Sequence, residues 1–226
     1  MGCEFTRDVP KNYEELTIQA AESLLGFEAI ECGEFDMSFS RFAHGNYLTE
    51  KQLKASLEAL GLTGSSVDEF PFKNYLSSFQ EDDKGYPLKK LVCVGILLGK
   101  GTPSRKGELL LQNYDRDCSG EIDPDEFKCM IDDMILVSVI AAIDLAKHHD
   151  TSMINLLENY LKKLKKAQKI FFIYVHFIMS MGKENEPITN DNFIKTFEDE
   201  KMKMLASTSG IRELALELIE MQSHHE

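Results

Sequence analysis

The segment Asp115-Arg-Asp-Cys-Ser-Gly-Glu-Ile-Asp-Pro-Asp-Glu126 constrains this chain more than any other stretch of it. Oxygen-bearing side chains stand at alternating positions, with a glycine at the sixth, an isoleucine at the eighth and a glutamate at the twelfth. A hard cation gathers about six to eight oxygens, and a loop with this spacing presents them to one point. On that reading Asp115, Asp117 and Ser119 give side-chain oxygens and Glu121 gives its backbone carbonyl. Asp123 coordinates directly or through water, and Glu126 is the bidentate ligand. Gly120 supplies a turn geometry that a residue with a Cβ resists. Four carboxylates around one small volume repel one another, so the pattern implies Ca²⁺ as the cofactor.

A loop of this kind must be clamped between two helices whose inward positions are apolar. Leu110, Leu111 and Tyr114 meet that need on the entering side, with Gly107 the weak member. Phe127, Met130, Ile131 and Met134 meet it on the exiting side. A merely acidic, solvated turn has no reason to align ligands, glycine, position-8 isoleucine and both helical faces. Thr102-Pro103 and Asp123-Pro124 each read as an N-cap followed by a first helical residue. The spacing predicts helices from there to Tyr114 and from Asp123 to about Lys147, the second hydrophobic on several faces and therefore central.

Met153, Ile154, Leu157, Leu161, Leu164, Phe171, Val175 and Ile178 recur at three- and four-residue steps, which predicts one very long helix or two stacked ones from about Thr151 to Ser180. Its middle is basic: Lys162, Lys163, Lys165, Lys166 and Lys169. Such a run reads first as a solvated face, with acidic lipid or a target peptide as the alternative. A last amphipathic helix is expected over about Gly210 to Gln222. Short clusters of turn residues punctuate the rest, and the fold class expected is all-α.

The loop and its flanks resemble the EF-hand superfamily, whose hands come in pairs joined by a short two-stranded contact between loops. That resemblance implies degenerate relatives, and three stretches qualify. Met181 to Asn192 carries Ile188 at position 8 but Met181 at position 1 and Asn192 at position 12, so it can pair but hardly bind. Gln80 to Leu91 contains Asp82, Asp83 and Gly85, yet position 12 falls on Leu91 or Val92. Around Asp36 to Gln52 only the tail Tyr47-Leu-Thr-Glu-Lys-Gln-Leu53 looks like a hand, with Arg41 or Asp36 left to serve as position 1.

With Leu48, Leu88, Ile122 and Ile188 at position 8 the spacings are 40, 34 and 66, so the last interval holds a long helical insertion that either fills or enlarges a target groove. The arrangement implied is four hands, mostly degenerate, in an amino-terminal lobe over residues 1–100 and a carboxy-terminal lobe over 101–226. Gly101-Thr-Pro103 is similar to the sequence before the third hand of neuronal calcium sensors, calcineurin-B-like proteins and calaxin-like proteins. The Cys-Pro pair that marks the first hand of neuronal sensors is absent.

The remaining features bound the function. Asp and Glu number 38 against 25 Lys and Arg, for a net charge of −13, which disfavours a phosphate-binding nucleic-acid surface. No run approaches the ~20 apolar residues of a membrane span, and residues 1–10 lack the apolar core of a secretory signal. Five cysteines without CxxC spacing argue against a disulfide framework or a zinc site and fit a reducing cytosol. Met1-Gly-Cys-Glu-Phe-Thr6 matches the pattern for myristoylation of Gly2, with Cys3 placed for a second acyl chain, which would hold the protein on the cytosolic face of a membrane.

His148-His149-Asp150 and His224-His225 read as solvated ends rather than transition-metal sites, and no nucleotide-binding, nucleophile-elbow or HExxH motif gives an enzyme reading a starting point. The function expected is an intracellular calcium sensor that catalyses no reaction and presents an apolar helical surface to a protein target. A regulatory or structural subunit stiffened by calcium, and a calcium buffer, are the alternatives.

Overall fold

The computed structural model describes residues 12–62, 70–183 and 186–223. Its regular structure is helical apart from two short antiparallel strand pairs. Helices α1 (Tyr13–Ser23), α2 (Cys32–Phe42), α3 (Glu50–Ala59), α4 (Phe72–Leu76) and α5 (Leu88–Leu98) make up the first half, with strands β1 (Tyr47–Leu48) and β2 (Tyr86–Pro87). Helix α6 (Pro103–Tyr114) and strand β3 (Glu121–Ile122) open the second half. Helix α7 (Pro124–Ile135) then runs through a π-helical segment, Leu136–Ala141, into α8 (Ala142–His149). Helix α9 (Ile154–Met179), strand β4 (Ile188–Thr189), α10 (Asn190–Thr196) and α11 (Thr208–Ser223) complete the chain.

The starts of α6 and α7 follow the capping residues read from the sequence. Thr102 Oγ1 accepts from the Arg105 amide at 3.2 Å, and Pro103 takes the first helical position, where no donor is needed. The expected central helix extends from Pro124 to His149, and its residues Ile131, Met134, Val137, Ala141, Ile143 and Leu145 are all buried. Thr151 to Ser180 resolves into one helix, α9, after a 3₁₀ turn at Thr151–Met153. Helix α9 buries Leu157, Leu164, Phe171 and Val175 and packs along α11, while α1 packs on α8.

Strand pairing sets the register of the loops. In the second pair Ile122 faces Ile188, the two residues that spacing placed at position 8. In the first pair Leu48 faces Tyr86, so Leu88 does not hold the pairing place assigned to it. Leu88 instead opens α5 and donates its N–H to the Asn46 carbonyl at 2.8 Å. The cause is a tight turn: Glu81 and Gly85 exchange backbone hydrogen bonds of 2.8 and 3.1 Å, which brings the strand forward by two residues. Gly85, at φ 95°, lies where a Cβ would stand 2.4 Å from the Leu48 carbonyl oxygen, so only glycine allows this approach.

The buried side chains form one cluster running from Ile18 to Leu218. Its polar tie is Arg212 of α11, which is wholly buried. Nε and Nη2 donate to the Glu15 carboxylate at 2.9 and 2.6 Å, Nη1 and Nη2 donate to Glu22 at 2.9 and 3.2 Å, and Nη1 also donates to the Ser138 carbonyl at 2.8 Å. All five guanidinium N–H groups are thereby used. One side chain joins the amino-terminal helix, the carboxy-terminal helix and the π-segment that continues the helix leaving Glu126. Burial works against the Arg212 cation, and Glu22 and Glu15 more than offset it, raising its pKa.

Candidate metal centre

The centre is built where α6 ends and α7 begins. Asp115 closes α6, its amide donating to the Leu111 carbonyl at 2.9 Å. Its carboxylate then folds the loop back on itself, with Oδ1 accepting from the Ser119 amide and Oδ2 from the Gly120 amide, both at 3.0 Å. Asp117 Oδ1 accepts from the same Ser119 amide at 3.0 Å. The turn passes through two left-handed residues, Cys118 at φ 55° and Gly120 at φ 79°. Glu126 closes the loop from the far side: Oε1 accepts from the Arg116 amide at 2.7 Å and Oε2 from the Asp123 amide at 3.2 Å. Asp123 Oδ1 accepts from the Glu126 amide at 2.8 Å, so the last ligand of the loop also completes the cap of α7.

These bonds bring Asp115, Asp117 and Glu126 together, each offering a carboxylate oxygen within 4.8 Å of the others. Ca²⁺–oxygen bonds of about 2.3–2.6 Å place ligands on opposite sides of the ion about 5 Å apart, so the trio has the reach a calcium ion needs. Among the described residues no other trio of His, Cys, Asp or Glu converges in this way. The donors are all oxygen, which suits a hard cation better than zinc or copper. Hydrogen bonds from Ser119 hold the Asp117 carboxyl below the usual carboxylate range, which keeps it ionised.

The other expected ligands lie beside the trio rather than in it. Ser119 Oγ donates to the Glu121 carbonyl at 3.2 Å and accepts from the Glu121 amide at 3.3 Å, so the fifth- and seventh-position oxygens are adjacent. Asp123, engaged as a helix cap, stands off the trio, as a ninth-position residue acting through water does. Cys118 is exposed and has no part in the trio. Gly2 and Cys3 lie outside the described residues, as do His224 and His225. His148 Nδ1 sits 2.8 Å from the Asp144 carbonyl in the last turn of α8, a local helix-end contact.

The strand register shows which residues stand at the place of Glu126 in the other three stretches. Counting four residues on from the paired strand residue, Glu126 corresponds to Gln52, Lys90 and Asn192. None of the three is a carboxylate. In the second loop the Lys90 ammonium binds Glu81 at 3.1 Å and the Tyr47 hydroxyl donates to the same carboxylate at 2.9 Å, so a side-chain cation serves that acid. In the fourth loop Met181 at φ 54° and Gly182 at φ 79° terminate α9, with the Gly182 amide returning to the Phe177 carbonyl at 2.8 Å.

Two features of the site go beyond the sequence reading. Gly107, the weak apolar position of α6, is buried against Phe197, whose ring would lie 2.6 Å from an added Cβ. The glycine is thus a contact point between α6 and the end of α10. Tyr114 donates its hydroxyl to buried Asp133 at 2.8 Å, tying the entering helix to the exiting one. The signal for the second was present as an apolar-face tyrosine directly before the loop and an acid on the inward side of α7. Comparisons with protein-family models, curated proteins and solved structures gave no match to this chain.

Proposed function

We propose that this protein is an EF-hand calcium sensor that binds one Ca²⁺ in the Asp115–Glu126 loop and couples it to a protein target. The observation that carries this reading is the double role of Glu126, which completes the carboxylate trio and caps α7 in its first turn. A bidentate ligand drawn onto the ion takes α7 with it. Helix α7 continues through the π-segment into α8, against which α1 and α4 pack. The ion's position is thereby linked to both halves of the chain through one continuous helix.

Calorimetric titration is the test: about one Ca²⁺ per chain, with binding abolished by Glu126→Gln, because the substitution removes charge and a coordinating oxygen together. A stoichiometry near two, or binding that survives Glu126→Gln, refutes it. A second reading, a constitutive subunit that calcium only stiffens, is favoured by one observation: Met130 and Met134 of α7 are fully buried by the chain itself. An apolar dye separates the two, with a calcium-dependent gain in fluorescence for the sensor and none for the stiffened subunit.

A further inference from the structure

Helix α9 carries five lysines, Lys162, Lys163, Lys165, Lys166 and Lys169, against a single acid, Glu158, in a chain whose net charge is −13. Glu158 lies 3.8 Å from Lys147, and Lys163 lies 3.9 Å from Glu220. Lys162, Lys165, Lys166 and Lys169 are exposed and form no ion pair among the described residues. At about 3.6 residues per turn, Lys162, Lys166, Lys169, Ile173 and Phe177 share one narrow sector of the helix. That sector lies opposite the buried seam of Leu157, Leu164, Phe171 and Val175.

A solvated face stays polar along its length, and this one does not. Past Lys169 it becomes apolar, with Ile173 56% exposed, Phe177 57% exposed and, just beyond the helix, Met181 72% exposed. A cleft of about 320 Å³ beside Phe177 is lined by Pro124, Phe172 and Ile173 together with His176, Ser180 and Lys183, whose ammonium pairs with Glu186 at 2.9 Å. The stripe from Lys162 to Phe177 is about 22 Å long at about 1.5 Å per residue. The stripe carries its cations on long stems along the outward side of a single helix. It matches a plane that is dense in negative charge and apolar beneath, where lysine stems lie along the apolar boundary with their ammonium groups at the headgroups.

We infer that this stripe of α9 docks on an anionic phospholipid bilayer, with Lys162, Lys165, Lys166 and Lys169 at the headgroups and Ile173, Phe177 and Met181 in the acyl boundary. The docking does not depend on calcium binding or on acylation, and it is tested with full-length protein lacking any acyl chain. Co-sedimentation uses vesicles of phosphatidylcholine alone and vesicles with one-third phosphatidylserine, in chelator and in calcium. The protein binds the phosphatidylserine vesicles and not the neutral ones. Each lysine near such a surface contributes about fivefold to partitioning, so Lys162→Gln/Lys166→Gln/Lys169→Gln lowers it about a hundredfold. The circular dichroism of that triple variant stays that of wild type, because the three side chains are exposed.

The chain contains no tryptophan, so Phe177→Trp gives a single reporter whose emission shifts to the blue on phosphatidylserine vesicles. Three results overturn the inference: wild type that binds these vesicles in neither buffer, which leaves the stripe to a protein partner; a folded triple variant that binds as wild type does; or an indole emission from the Phe177→Trp variant that vesicles leave unmoved.

Discussion

Replacing Arg212 by methionine removes the guanidinium and keeps much of its volume, and the cost can be worked from the contacts it leaves behind. Five hydrogen bonds disappear, and two carboxylates and the Ser138 carbonyl lose their cation. Glu15 has water within reach, its side chain being 18% exposed, and keeps the Tyr160 hydroxyl at 3.1 Å. Glu22, with a side chain 8% exposed, has neither relief and must stay as a desolvated anion or take up a proton. Protonating a carboxyl with an ordinary pKa of about 4.3 costs about 1.36 kcal/mol per pH unit, hence about 3.7 kcal/mol at pH 7 and about 1 kcal/mol at pH 5.

That figure caps the electrostatic penalty from Glu22 and agrees with the ~3–5 kcal/mol typical of breaking a buried pair from one side. In the variant the folded state holds the Glu22 proton more tightly than the unfolded state does. Stability therefore falls as pH rises from 5 to 7, and the gap to wild type widens by up to about 2.7 kcal/mol over that interval. Urea unfolding followed by circular dichroism in chelator, at both pH values, measures it. Adding Glu22→Gln to the variant recovers most of the loss at pH 7 and removes most of the pH dependence. A cost below about 1 kcal/mol at pH 7, or a cost equal at the two pH values, would show that Arg212 does not hold α1 and α11 together as described.

Three further outcomes are expected. Burial raises the pKa of Asp133, against the Tyr114 hydrogen bond and Lys90 and Lys89, so its contribution to stability is fully present below the unfolded aspartate value of about 3.9 and is lost as pH rises from there through its higher folded value. Asp133→Asn keeps an oxygen for the Tyr114 hydroxyl, so urea unfolding finds it at least as stable as wild type at pH 7 with a flatter acid profile. Gly107→Ala drives a Cβ into the Phe197 ring; overpacking of about 1–3 kcal/mol outweighs a helix-propensity gain of about 1 kcal/mol, and a thermal melt records a net loss. Calcium changes the methyl NMR environments of Met130 and Met134 if α7 moves with Glu126, and signals unaltered in a filled loop would favour the stiffened-subunit reading.

The helical class was legible because amphipathic periodicity and capping residues act locally: Thr102-Pro103 and Asp123-Pro124 start helices wherever they stand in the fold. The candidate ligands were legible for the same reason, since a twelve-residue loop brings Asp115, Asp117 and Glu126 together through bonds that lie almost wholly inside it. The pairing of Ile122 with Ile188 followed from loop length, and the same counting failed for Leu88 because a tight turn at Gly85, set by its approach to the Leu48 carbonyl, moved the strand to Tyr86. That contact is with another strand, and no local rule contains it.

Tertiary structure alone decided the rest. Arg212 and Glu15 stand almost two hundred residues apart and read as ordinary surface charges until packing removes their water. Gly107 reads as a gap in an apolar face until Phe197 arrives to fill it. The lysines of α9 were visible as a run, but their alignment with an exposed Ile173 and Phe177 depended on which side of the helix the core claimed. Sequence fixes interactions within a few turns of chain, where spacing equals distance; contacts between elements depend on how their faces are shared out, and that is settled only when the whole core is packed.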